Sequence, residues 1–66
     1  MLVKEVYLKV EYFCGAYLFS SMDAPAVNTA NTNYESGLVQ MKDLVKTYFD
    51  ANGEIYSDII WCVVDG

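Results

Sequence analysis

The chain has 66 residues, 55% of them hydrophobic, with nine carboxylates against four lysines, no histidine and a formal net charge of -5. So apolar a composition excludes intrinsic disorder, and the length holds a single domain, residues 1–66, which buries only about 60% of the surface its unfolded chain exposes. With no arginine to clamp phosphates, the acidic balance argues against direct nucleic-acid binding and against anionic membranes, and it favours a basic protein surface as partner.

Lys4, Glu5, Lys9 and Glu11 interrupt the N-terminal apolar residues before a signal h-region can form, and no apolar run reaches the roughly 20 residues of a membrane helix. The expected location is the cytoplasm. There Cys14 and Cys62 are expected as reduced thiols. Residues 4–13 alternate, with Val6, Leu8, Val10 and Tyr12 on one face and Glu5, Tyr7, Lys9 and Glu11 on the other, which is the period-two pattern of a half-buried strand. Cys14 and Gly15 form a two-residue turn into a second apolar run, residues 16–19, setting Tyr12 opposite Tyr17 and Val10 opposite Phe19.

Residues 23–33 are small and polar, carry one proline and show no periodicity, so they read as a loop. Thr32 with Glu35 forms a capping box for a helix, and Ser36 is a competing cap. Leu38, Met41, Leu44, Val45 and Tyr48 then recur at helical spacing, giving an amphipathic helix of about three to four turns that ends at Asn52 and Gly53. The last strand, residues 54–64, includes the unbroken apolar run Ile59, Ile60, Trp61, Cys62, Val63 and Val64.

This order predicts an α+β domain: a three-stranded, mainly antiparallel sheet (β-β-α-β) with one amphipathic helix packed on one face. The last strand is expected beside the first, in spatial order 2-1-3, and parallel to the second. Either Ile59, Trp61 and Val63 or Ile60, Cys62 and Val64 pack under the helix. The reading adopted places Trp61 in the core and Ile60 on the side the helix cannot cover.

Catalytic chemistry is hard to assemble from these residues. No histidine is present to serve a nucleophile, and nothing cationic adjoins Cys14 to stabilise a thiolate. The carboxylate pairs Asp50 with Glu54 and Glu54 with Asp58 read as solvated turn residues. Two cysteines make a poor zinc site, and the scattered Gly15, Gly37 and Gly53 form no phosphate loop. The expectation is therefore no enzyme, no cofactor and no metal. Ten aromatic residues, from Tyr7 to Trp61, exceed what one small core encloses, and Tyr and Trp are enriched at binding hot spots.

Leu2, Val3 and Lys4 before an aromatic-rich strand, and Leu44, Val45 and Lys46 before Tyr48, Phe49 and Asp50 at the helix end, form a layout that resembles the Dmd-type antitoxins of T-even phages. The resemblance implies an inhibitor that occupies the active-site groove of a bacterial toxin ribonuclease in the host cytoplasm. Residues 23–33 and 59–64 depart from that layout. The expected function is a small acidic protein-binding module, a phage or mobile-element inhibitor that blocks a basic groove of a host nuclease, polymerase or other nucleic-acid enzyme. The alternative is a homodimeric structural or accessory protein without an inhibitory role. Candidate partner-binding residues are Tyr7 and Glu11 on the first strand and Asp58, Ile60 and Cys62 on the last.

Overall fold

The computed structural model describes residues 2–65. The N-terminal alternation becomes β1 (Val3–Phe13), in which Val6, Leu8 and Val10 are buried while Glu5, Tyr7, Lys9 and Glu11 face out. Cys14 and Gly15 have φ of 53° and 80°, the pair of left-handed residues that a two-residue turn needs to match strand twist. The chain then enters β2 (Ala16–Ser21) with Tyr12 opposite Tyr17 and Val10 opposite Phe19, the register expected from the two apolar patterns.

The segment read as a loop contains a strand. Asn28–Asn31 forms β3, antiparallel to β2, with Thr29 opposite Phe19 and Asn31 opposite Tyr17. Asn, Thr and Ala give no apolar alternation, so the strand is dictated from outside: the outer edge of β2 needs hydrogen-bond partners, and a four-residue polar strand supplies them. This strand corrects two expectations. The sheet has four strands, not three, in the order β3-β2-β1-β4, and it is mixed: two of its pairings are antiparallel, and the third, β1 with β4, is parallel where the last strand is expected to run parallel to the second. One extra reversal of the chain also turns β4 (Asp58–Asp65) parallel to β1, and so opposite in direction to β2. Its place beside the first strand is as expected.

The helix α1 (Tyr34–Ala51) is 18 residues long, more than the three to four turns expected. Its cap is neither Thr32 nor Ser36 but Asn33, whose Oδ1 accepts the Ser36 amide at 2.9 Å. Asn52 and Gly53 close the other end, with Gly53 at φ 74°. The buried row is Gly37, Met41, Val45 and Phe49, while Leu44, assigned above to the core stripe, is 39% exposed. The row runs in steps of four, so Leu44 falls on its rim and Phe49 on its line.

These side chains meet Val6, Leu8 and Val10 of β1, Phe19 of β2 and Ala24 in one core. The helix lies over β2 and β3, tied to β3 by the Thr29 hydroxyl donating to Gln40 Oε1 at 3.1 Å. It descends so closely on β2 that a Cβ at Gly37 would stand 2.3 Å from the Phe19 ring. The helix is therefore offset toward the β3 side of the sheet, and β4 is only partly covered on either face.

Candidate functional site

One face of the sheet lies under α1 and the other has no covering element among the described residues. The registers define the open face. Glu11 stands beside Leu18, Lys9 beside Ser20 and Val64, Tyr7 beside Cys62, Glu5 beside Ile60, and Val3 beside Asp58. All five sequence candidates, Tyr7, Glu11, Asp58, Ile60 and Cys62, are thus brought to one surface, because residues paired across a sheet point the same way. Of the alternative faces for β4, Ile59 and Trp61 pack against the core, and Val63, on the same side, remains exposed beyond the helix. Ile60 is on the open side as expected.

The face combines exposed apolar bodies with carboxylates. Tyr7 is 52% exposed, Ile60 47% and Val64 50%, with Phe13 and Leu18 also accessible. Phe13, Leu18 and Val64 were not among the candidates, although alternation and the hairpin register place all three beside them. Lys9 is engaged by Glu11 at 2.9 Å, and that contact raises its pKa. Glu5 raises the Tyr7 phenol above its ordinary value, with Cys62, burial and Asp23 adding to the effect, and Glu5 also accepts the Tyr7 hydroxyl at 3.4 Å. Beyond the end of β2, Asp23 continues the ladder by accepting the Tyr7 amide at 3.0 Å, and it pairs with Lys4 at 3.6 Å. A mostly apolar groove of about 460 Å³ crosses this surface between Tyr7, Lys9, Ser20, Met22, Pro25 and Val64.

A second hollow, about 300 Å³, lies between the end of α1 and the start of β4, among Lys46, Phe49, Asp50, Glu54, Tyr56 and Trp61. Its carboxylates form no group that could hold a metal ion among the described residues. The Tyr56 hydroxyl donates to Glu54 Oε1 at 2.7 Å, which raises the Tyr56 pKa. Cys14, in the hairpin turn, and Cys62, on β4, are both free. No helix in the described residues is long and apolar enough to cross a membrane.

No family model, curated protein or solved structure matches the chain.

Proposed function

We propose that this chain is a protein-binding module that docks its open sheet face into a basic groove of a partner enzyme and so blocks it, in the manner of a phage or mobile-element inhibitor. The observation that carries the reading is that face: Tyr7, Leu18, Ile60 and Val64 lie exposed on one sheet surface beside Glu5, Glu11 and Asp58, with no element over them among the described residues. An exposed apolar patch edged by charge is the usual character of an interaction surface. The carboxylates would steer it toward a positive groove and repel nucleic acid. The resemblance of residues 2–4 and 44–50 to the layout of Dmd-type antitoxins makes a toxin ribonuclease the first target to test, ahead of other host nucleases and polymerases.

The test is inhibition and capture with purified basic nucleases and polymerases, comparing the native chain with Ile60→Lys and with the helix variant Gln40→Ala. A partner should bind the native chain and Gln40→Ala, lose affinity for a folded Ile60→Lys, and bind more weakly as salt is added. Undiminished binding by folded Ile60→Lys would remove the open face from the reading.

A further inference from the structure

We propose that the free edge of β4 pairs antiparallel with β4 of a second copy of this chain, in the register that sets Cys62 opposite its own counterpart. This goes beyond the face reading, because the contact is made by backbone groups at the side of the sheet.

The argument starts from which groups of β4 are unused. The Asp58 amide reaches the Leu2 carbonyl at 3.4 Å in the ladder that pairs Val3 with Asp58. The Tyr7 amide points the other way, to Asp23 on the β2 side. In a parallel ladder alternate residues address the same neighbour, so Asp58, Ile60, Cys62 and Val64 bond to β1 while Ile59, Trp61 and Val63 turn their N–H and C=O outward. The Ile59 amide is already taken by Asp58 Oδ1 at 2.9 Å. Among the described residues, Trp61 and Val63 are left with free outward groups in the middle of an uncharged run.

Exposed edges in natural sheets are blunted by brevity, lysine, proline or a bulge. At the opposite edge β3 obeys this rule, with four residues of Asn, Thr and Ala. Eight-residue β4 has none of these devices and carries charge only at its ends, Asp58 and Asp65. Because α1 lies over β2 and β3, it does not obstruct the β4 edge.

The register follows from the same residues. Centring the two-fold between Trp61 and Cys62 would oppose a residue whose N–H and C=O turn outward to one whose groups turn toward β1, which no antiparallel ladder allows. Centring it on Trp61 puts the already occupied Ile59 amide opposite Val63, so the Val63 carbonyls lose their donors inside the ladder, whereas centring it on Cys62 moves that amide to the ends of the ladder, opposite Asp65. Centring it on Cys62 pairs Trp61 with Val63, the two residues whose outward groups are free. It also sets Ile60 against Val64, and it puts the small Cys62 at the two-fold, in the non-hydrogen-bonded position where side chains approach most closely. A second copy supplies this complement by symmetry, since each strand brings both members of the Trp61–Val63 and Ile60–Val64 pairs. The two-fold stands perpendicular to the sheet, so two four-stranded sheets join into one with both open faces on the same side.

The test follows amide hydrogen exchange and sedimentation from micromolar to millimolar protein. The Trp61 and Val63 amides should gain protection as the mass doubles, while the Ile60 and Cys62 amides, bonded to β1, are protected throughout. In Cys14→Ser protein, oxidation by copper-phenanthroline under air should link Cys62 to its counterpart as a disulfide dimer. Cys62→Lys, which opposes two ammonium groups, should abolish the dimer. If that variant does not fold, Val63→Pro removes only an outward N–H and should do the same. A monomer at millimolar concentration, a dimer whose Trp61 and Val63 amides stay unprotected, a failure to link through Cys62, or a dimer that survives either folded variant overturns the proposal.

Discussion

Phe49 and Leu44 show how far helical spacing identifies a core residue. Both lie on the apolar side of α1, but Phe49 continues the row of Gly37, Met41 and Val45 and is buried, whereas Leu44 stands at the edge and is 39% exposed. Phe49→Ala should therefore cost about 3 to 5 kcal/mol through lost transfer energy and a cavity. Leu44→Ala should stay under about 1 kcal/mol, near the range of surface substitutions. Denaturant unfolding of the two variants checks this, and equal costs would reject the row. Sequence spacing located the stripe but not its centre, since the centre depends on where the helix sits over the sheet. A second residue-scale expectation concerns Tyr56. The Glu54 carboxylate accepts its hydroxyl and holds the proton on the phenol, so its folded pKa lies above the ordinary tyrosine value. The stabilisation is therefore complete below the ordinary value and is lost as pH rises through the raised one. In Glu54→Gln, phenolate absorbance should show Tyr56 titrating at lower pH than in the native chain. No change would mean that the contact does not persist in solution.

The elements differ in how much of them the sequence announces. β1 and β2 were legible down to the register, because one face of each is buried and a slip of one residue would expose it. β3 was not legible: its residues satisfy the β2 backbone rather than fill the core, and nothing in Asn28, Thr29, Ala30 and Asn31 signals that role. The five candidate contact residues reached one face because alternation alone assigns faces. The offset of the helix, which leaves Val63 and the β4 edge exposed, is a tertiary property that no local pattern carries. Gly37 records that offset. Replacing it by alanine improves helix propensity by about 1 kcal/mol. Yet the added Cβ would stand 2.3 Å from the Phe19 ring, and overpacking of this kind costs about 1 to 3 kcal/mol. Gly37→Ala should thus destabilise the domain, and Gly37→Ala with Phe19→Leu should recover part of the loss. Thermal unfolding of the single and double variants measures both, and a single variant more stable than the native chain would show that the helix stands farther from β2.

Across the whole molecule the excess of negative charge opposes folding while serving the proposed docking. Lys4 is engaged by Asp23, Lys9 by Glu11, and Lys42 lies 5.8 Å from the Trp61 ring centre. Glu5 and Asp58 lie diagonally across β1 and β4 on the open face, and among the described residues neither has a lysine within ion-pair distance. The raised pKa of Tyr7, caused first by Glu5, is a local sign of the same negative field. Replacing the two carboxylates by Gln and Asn keeps their acceptor oxygens for the Tyr7 hydroxyl and the Ile59 amide, and removes only charge. The double variant Glu5→Gln, Asp58→Asn should therefore melt a few degrees higher than the native chain at low ionic strength. The gap should close as sodium chloride shortens the Debye length to about 3 Å at 1 M. The same variant should associate more slowly with a basic partner, because the charges that weaken the fold are those that would steer the encounter. Thermal midpoints of both proteins across a salt series decide the first half. A variant that melts lower than the native chain at low salt would mean that these carboxylates hold the fold together instead of straining it.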